Sequence, residues 1–474
     1  MYFQQIMYDD LGCASYIVGG DTGCAVVDPQ WDSAPYLATA RQKGLTITHI
    51  IETHVHADHV SGGRRLAAAT GAMICLPAGV EAAYPFQPLH DGDVLDVGDL
   101  KLLIVETPGH TAAHISVVVE DLTRAAEPWF VLTGDALFIG DAGRPDLILR
   151  DQAATLQANR LAAHLHHSLF ERLLHLDDGV EVYPGHVAGS LCGRAMSSKA
   201  SSTIGFERRY NVALTPRTVA EFAEFMTVGL PPKPANYETV KRINLGLTPD
   251  VDVDPDALPA LDPAGVERAV AAGAAVLDVR GPAPFAAGHL PGAFGVALTN
   301  GQFGTRVGML AAPGAPLVLV VETAEERRRA MIALAAVGFR TVGYLEGGVD
   351  AWVAAGRPVE ALAELDVADL ARRLEVGSPP LQLVDVRDPG EWDVDHVPVA
   401  RHIRLGELAA RLGEIRREQP VAVMCAGGLR SVAAASLLAR AGYQVYNVPG
   451  GFSGWARAGL PTAAQAPTPV GARA

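Results

Sequence analysis

Seven residues, Thr53-His54-Val55-His56-Ala57-Asp58-His59, place three imidazoles and a carboxylate in one short run of a 474-residue chain. Such groups are ligands for zinc, iron or manganese. Three further candidates share one grammar: His110 follows Pro108-Gly109, Asp135 follows Thr133-Gly134, and His186 follows Pro184-Gly185. Each cluster ends an apolar run that reads as a strand, as in Thr48-His-Ile-Ile-Glu-Thr53 and Leu102-Leu-Ile-Val-Glu-Thr107. Strands ending at one sheet edge gather ligands that are distant in sequence, and the glycines permit the tight turns that aim them. A helix expected from Val60 onward would hold Asp58 and His59 beside the loop. A single histidine usually packs or faces solvent, and His90, His164, His166, His167 and His175 read that way.

A second chemistry lies near the other end. Val421-Ala-Val-Met424 is an apolar strand running into Cys425, then Ala426-Gly-Gly-Leu-Arg-Ser431 and a helical run to Ala441. A thiol on a glycine-bearing loop at a helix N-terminus faces backbone N–H groups and the positive end of the helix dipole. Arg430 adds a charge. Together these favour thiolate and would stabilise a Cys–S–S⁻ persulfide. Cys425 is therefore the candidate sulfur carrier, with Arg430 and Ser431 beside it and Gly427 and Gly428 as loop contacts for a substrate.

The elements around Cys425 occur twice. Val276-Leu-Asp-Val-Arg280 recurs as Leu383-Val-Asp-Val-Arg387, and Leu345-Glu-Gly-Gly-Val-Asp-Ala-Trp352 as Val448-Pro-Gly-Gly-Phe-Ser-Gly-Trp455. Two copies of one α/β unit follow the metal-ligand region. Alignment on Gly347 and Gly450 sets Glu322 opposite Cys425, and a carboxylate cannot carry sulfane sulfur. The division expected is residues 1–245, a linker over 246–262 rich in Asp and Pro, a copy without the cysteine over 263–361, the active copy over 362–464, and a tail over 465–474.

The histidine motif, with Pro108-Gly-His-Thr111, Thr133-Gly-Asp135 and Pro184-Gly-His186, resembles the metallo-β-lactamase family over about Met1 to Asn244. The resemblance implies an αββα sandwich with metal at one edge. Asp28, ending Ala25-Val-Val27, resembles the acidic residue that supports such sites, or is a turn residue before Pro29. Hydrolases of the glyoxalase II type would hold two metals: His54, His56 and His110 on one, Asp58, His59 and His186 on the other, Asp135 between. Persulfide dioxygenases would hold one Fe(II) through His54, His110 and Asp135 alone. Zn²⁺ is the alternative ion, and the ligands leave both open. The Gly143-Arg144 pair resembles a segment of the dioxygenases, where Arg144 would hold a substrate carboxylate or steady the pocket, or is a surface turn. Gly189-Ser-Leu-Cys192 resembles a segment bearing a cysteine near the metal, so Cys192 joins the sulfur chemistry or is a buried inert thiol.

The Cys-x-x-x-x-Arg-Ser loop with Asp385-Val-Arg387 and Pro449-Gly-Gly-Phe-Ser-Gly-Trp455 resembles a rhodanese over about Asp366 to Thr462. Asp385 and Arg387 read as structural partners. The whole arrangement resembles bacterial persulfide dioxygenase–sulfurtransferase fusions. It implies an α/β multi-domain enzyme that oxidises a low-molecular-weight persulfide with O₂ to sulfite and moves sulfane sulfur through Cys425 to or from thiosulfate. A dinuclear zinc thioester hydrolase and a non-catalytic sulfur-relay or sensing scaffold are the other readings.

Composition narrows the partners. The chain carries 38 Lys plus Arg against 53 Asp plus Glu, a formal charge of −15, which argues against nucleic acid. No apolar run approaches the roughly 20 residues of a membrane span, and Met1 to Asp10 lacks the pattern of a signal peptide. Five scattered cysteines, Cys13, Cys24, Cys75, Cys192 and Cys425, read as reduced thiols in a cytoplasm. The partners expected are a thiol persulfide, O₂, and sulfite or thiosulfate. Self-association as a homo-oligomer is left open.

Overall fold

The computed structural model describes residues 1–463 apart from 148–153, 189, 194–195, 217, 229, 231–232, 234–235, 300 and 378; Gly189 and the expected tail lie outside the described residues. Alternation sets the first layer. β1 (Tyr2–Tyr8), β2 (Cys13–Gly19), β3 (Gly23–Val27), β4 (Thr46–Ile51), β5 (Met73–Pro77) and β6 (Gln87–Leu89) form one sheet in sequence order. Tyr16, Val18, Ala25 and Val27 point inward, whereas Ile17, Cys24 and Val26 point outward onto Tyr36 and Leu66 of helices Ala34–Lys43 and Gly63–Thr70.

The second sheet, in order, is β12 (Ser202–Thr203), β11 (Glu181–Pro184), β10 (Phe130–Gly134), β9 (Ile115–Asp121), β8 (Leu100–Glu106) and β7 (Val94–Val97). Leu102, Ile104, Val117, Val119, Phe130 and Leu132 meet the first sheet. Val118, Val131 and Val182 face outward onto Leu165 and Phe222 of helices Ala154–His167 and Val219–Thr227. This is the αββα sandwich the motifs imply. The helix after the histidine run begins at Gly63, later than Val60, so Asp58 and His59 belong to a loop.

Two parallel sheets follow. The first joins β13 (Ala260–Leu261), β17 (Thr341–Leu345), β16 (Leu317–Val320), β14 (Ala275–Asp278) and β15 (Phe294–Gly295), in that spatial order. β13 takes residues that the sequence assigned to the linker. The second joins β19 (Arg401–His402), β18 (Gln382–Asp385), β20 (Val421–Met424) and β21 (Val445–Asn447), and Glu364 pairs with Asn447 where the first copy has β13. The registers correct one assignment. Asp278 pairs with Val320 and Asp385 with Met424, so Val321, not Glu322, stands opposite Cys425. An apolar side chain replaces the thiol, and the conclusion that this copy carries no sulfur nucleophile is unchanged.

One apolar core runs through the junctions. It includes Leu11, Cys13, Trp31 and Val60 of the sandwich, Val251 and Val253 of the connecting segment, most of the middle sheet, and Val423, Cys425 and Leu438 beyond. Arg64 pairs with Asp250 at 3.2 Å and Arg328 with Asp256 at 3.5 Å, so the connecting segment is pinned on both sides. Val60 N–H donates to Ala336 O at 2.7 Å. The Asp10 carboxylate accepts from the N–H groups of Phe303 (2.6 Å) and Gly304 (2.8 Å), the open end of helix Phe303–Leu310. On the far side Arg440 donates to Gly292 O and lies 4.2 Å from the Phe294 ring centroid. Among the described residues no helix is long and apolar enough to cross a membrane.

Two N–H groups at that helix end lose their acceptor if Asp10 is truncated. Asp10→Ala is expected to cost about 1–2 kcal/mol in denaturant unfolding of the full chain, the range for loss of a helix cap. An unchanged midpoint would show that the contact contributes nothing.

Candidate metal centre and sulfur-transfer loop

Asp28 is where the site begins. It has a positive φ of 50°, uncommon for a residue with a Cβ but accessible to aspartate. The turn aims its carboxylate at the loop after β4. It accepts from Thr53 N–H at 2.7 Å, from the Thr53 hydroxyl at 2.8 Å and from His56 Nε2 at 3.1 Å. With its proton committed to Asp28, the Thr53 oxygen accepts from His54 Nδ1 at 3.0 Å. His54 Nε2 is left as a lone pair. It has no hydrogen-bond partner and lies 3.9 Å from Asp135 Oδ2, which also has none. His110 is oriented the same way: its Nδ1–H donates to Arg144 O at 2.9 Å, and its Nε2 lies 3.5 Å from Asp135 Oδ2. Two lone pairs and a carboxylate oxygen, all buried, converge on one point. Their remaining coordination capacity and their chemistry fit a divalent cation.

Gly134 makes this convergence possible. Its φ is +48°, and a Cβ there would stand 2.5 Å from Thr53 Oγ1 and 2.9 Å from His114 Nε2. His114, which the sequence reading passed over, accepts from Asp135 N–H at 3.1 Å and stacks on His54 with 5.1 Å between ring centroids. Its only sequence signal is a histidine four residues past His110. Asn244 is another position missed: its side chain donates to the carbonyls of His56 (2.9 Å) and His59 (2.8 Å), clamping the loop.

The other four candidates are tied differently. His56 Nε2 lies 3.1 and 3.3 Å from Asp28 and Glu52, its Nδ1 is buried with no hydrogen-bond partner, and it stands outside the group His54, His110 and Asp135, whose ligand atoms lie within 4.8 Å of one another. His186 spans Asp58 Oδ2 at 2.8 Å and Asp135 Oδ1 at 2.7 Å. His59 Nδ1 is 3.2 Å from Asp58 Oδ2, and Cys13 Sγ lies 3.6 Å from the same oxygen. Electrostatics follows this split. Burial holds His54 well below its ordinary range, lowers His110, and lowers His114 to about 3. Burial also opposes charge on His56, His59 and His186, but facing groups overcome it: Asp28 lifts His56, Cys13 and Asp58 lift His59 to about 9, and Asp135 lifts His186. Burial opposes ionisation of Asp135, yet His186 holds it down to about 2. Neutral imidazoles bind metal and imidazolium ions do not.

Arg144 is buried and bidentate on Asp146, at 2.7 and 2.8 Å. The guanidinium is thereby given an internal carboxylate instead of a substrate's, and the residue's carbonyl orients His110. Cys192 is buried within reach of Asp135 and His186, and burial, reinforced by Asp58, drives its thiol well above the ordinary range. All five cysteines are buried and unbridged.

Cys425 sits just past β20 with Sγ accepting from Gly428 N–H at 3.1 Å; the Ser431 hydroxyl is 3.6 Å away and bonds Asn447 at 2.7 Å. Gly451 (φ +51°) lies directly over the Cys425 carbonyl, where any Cβ would collide. Arg430 is held by Glu391 at 2.6 and 2.7 Å and by Asp388 at 3.1 Å, so its charge is shared with two carboxylates and is not wholly given to the thiol. Arg387 and Asp385 pair bidentately at the strand end, as expected of structural partners.

Comparison with known proteins finds two domain families in the chain. A metallo-beta-lactamase superfamily model matches residues 8–186, and a rhodanese-like domain model matches 262–355 and 366–458. A hydroxyacylglutathione hydrolase of Rhodopseudomonas palustris is 31% identical over 235 residues, 48% of this chain and 80% of that protein. Another, from Rhodospirillum rubrum, is 39% identical over 123 residues, 26% of this chain and 45% of that protein. The human mitochondrial persulfide dioxygenase ETHE1 is 26% identical over 243 residues, 50% of this chain and 86% of that protein. A metallo-beta-lactamase structure from Staphylococcus aureus superposes with a TM-score of 0.64 at 27% identity, covering 72% of this chain and 98% of its own. The chain belongs to the metallo-beta-lactamase superfamily and carries tandem rhodanese-like domains after that fold.

His54→Ala and Asp135→Ala are expected to lose bound metal, while His56→Ala retains it, as measured by elemental analysis of the purified chain. Loss on His56→Ala equal to that of the other two would contradict the orientation described. At the loop, burial opposes ionisation of Glu391, and Arg430 holds it below its ordinary 4.5. That stabilisation is present above 4.5 and is lost as pH falls through the lowered value. Glu391→Gln should therefore flatten the loss of stability in acid, followed by thermal melts between about pH 3 and 6.

Proposed function

We propose that the chain is an Fe(II)-dependent persulfide dioxygenase with sulfurtransferase activity. It would oxidise the terminal sulfur of a low-molecular-weight persulfide, such as glutathione persulfide, to sulfite, and pass sulfane sulfur through Cys425 to or from thiosulfate. The observation that carries the reading is the three-ligand convergence. The ligand atoms of His54, His110 and Asp135 lie within 4.8 Å of one another, with His54 Nε2 and Asp135 Oδ2 unpartnered, whereas His56 Nε2 is bound to Asp28. Two histidines and one carboxylate suit non-haem Fe(II). Bound there, the ion would supply open positions and one-electron redox chemistry for O₂, while the four electrons that reduce O₂ come from the persulfide. Overall, persulfide, O₂ and water become thiol, sulfite and two protons.

The chain's own groups do the positioning. Asp28 and Thr53 fix the His54 tautomer, Arg144 O fixes that of His110, His186 fixes the rotamer of Asp135, and His114 Nε2 holds the Asp135 backbone N–H. The burial of the ligands excludes bulk water. The rhodanese-like loop supports the sulfur part of the reading, and fusion raises the effective concentration of one step's product at the next.

A hydrolase of the glyoxalase II type is the second reading, favoured by the hydroxyacylglutathione hydrolase relatives and by the intact Asp58, His59 and His186. Oxygen uptake decides between them. The iron-loaded chain with glutathione persulfide should consume O₂ and release sulfite, falling at least about a hundredfold in His54→Ala and Asp135→Ala. Zinc as purified, no O₂ uptake after iron loading, and turnover of S-lactoylglutathione would instead establish the hydrolase.

A further inference from the structure

The run that carries the metal-site histidines has little backbone pairing of its own. Among the described residues, positions 55–61 make one backbone-to-backbone hydrogen bond, from Val60 N–H to Ala336 O at 2.7 Å. Ala336 ends helix Ala324–Ala336 of the cysteine-free unit. Carbonyls at a helix C-terminus lack an intrahelical donor and must find one elsewhere. Val60 satisfies that of Ala336, and Asn236 Nδ2 satisfies the next, donating to Val337 O at 3.1 Å. Gly338 then turns the chain with a φ of +82°. A Cβ there would stand 3.4 Å from both Val240 and Ile243, which pack against the turn.

Asn236, Val240 and Ile243 belong to one element, helix Tyr237–Asn244 and the residue before it. The last residue of that helix reaches back over the metal loop. Asn244 commits both ends of its amide there. Nδ2 donates to His56 O at 2.9 Å and to His59 O at 2.8 Å, and Oδ1 accepts from Ser61 N–H at 2.9 Å. Its own carbonyl accepts from the Tyr84 hydroxyl at 2.9 Å. Four backbone groups of the loop are thus held from outside. Ala336 O holds one, and a residue on the helix seated against the middle unit holds three. Asp58 lies between these anchors, and its carboxylate continues the path. Oδ2 meets His186 Nε2 at 2.8 Å, and His186 Nδ1 meets Asp135 Oδ1 at 2.7 Å.

We propose that the cysteine-free unit serves the metal centre: through Ala336 O and Asn244 it fixes Asp58, and Asp58 in turn fixes His186 and the Asp135 carboxylate. Asn244 is the positioning residue of this path. The proposal rests on the reading of His54, His110 and Asp135 as the ligand set. Partners that orient a ligand from behind tune how tightly the metal is held. Here those partners extend across a unit boundary. A unit without a sulfur nucleophile thereby acts in the oxidation half of the molecule and not in sulfur transfer.

Three variants of the full chain separate this path from general loosening. Asn244→Asp keeps the shape and the Oδ1 acceptor but loses both donors. Asn236→Ala cuts the bond to Val337 O without touching the loop. Asp10→Ala is the control, because it cuts a polar tie between the same two units, at Phe303 and Gly304, away from the loop. Iron affinity, measured by competition with a chromophoric chelator, should weaken about tenfold or more in the two asparagine variants and stay unchanged in Asp10→Ala. The EPR signal of the nitric oxide adduct of the iron-loaded chain should change shape in the same two variants. In the metal-free chain, amide hydrogen exchange over residues 55–61 should quicken in those two and not in the control. Unchanged iron affinity in either asparagine variant, or an equal loss in Asp10→Ala, overturns the proposal. An unsubstituted chain that binds no iron defeats the metal reading by itself. Amide exchange then decides the path alone, and exchange unchanged by Asn244→Asp sinks it.

Discussion

The carboxylate of Asp28 governs the metal half of the molecule. It makes three hydrogen bonds, and each has a separate effect. The bond to Thr53 N–H ends β4 and starts the loop. The bond from the Thr53 hydroxyl sets, one step removed, which nitrogen of His54 carries the proton. The bond from His56 commits its Nε2 and leaves Nδ1 as the ring's unpartnered nitrogen. A second carboxylate, Glu52, secures His56 in the same position. Two histidines separated by one residue in sequence thus meet different partners, His54 the Thr53 hydroxyl and His56 the Asp28 carboxylate.

Much of this was legible in the sequence because each candidate follows a strand. Strand ends are fixed by backbone pairing, so His54, His110, Asp135 and His186 arrive at one edge whatever their side chains do. The repeat around Asp278 and Asp385 was legible for the same reason. What could not be read was orientation. The turn of His56 depends on a positive φ at Asp28 and on the distant Asn244 clamp. Arg144 pairs its buried guanidinium with the half-buried Asp146, only two residues away. The placement of Val321 opposite Cys425 required strand register, since the loops of the two copies differ in length and alignment from Gly347 slips by one.

The two chemical centres are built on different physical principles. At the metal-ligand cluster, buried carboxylates and imidazoles form two hydrogen-bonded chains, Asp28 with Thr53, His54 and His56, and Asp58 with His186 and Asp135, which face each other across the unpartnered His54 Nε2 and Asp135 Oδ2. At Cys425 the backbone does most of the work: Gly428 N–H meets the sulfur, and Gly451 covers its carbonyl. Arg430, singled out for its charge, is instead anchored by Glu391 and Asp388, and joins the loop to the strand end carrying Arg387.

The shared apolar core also bears on how the chain comes apart. Domains on loose tethers melt one by one, each with its own transition. Here the middle unit has no apolar boundary of its own: it is continuous with Leu11 and Trp31 on one side and with Val423 and Leu438 on the other. Unfolding it would strip both neighbours of packing at once. The middle unit is therefore coupled to both neighbours, while the sandwich and the last unit also keep apolar clusters of their own.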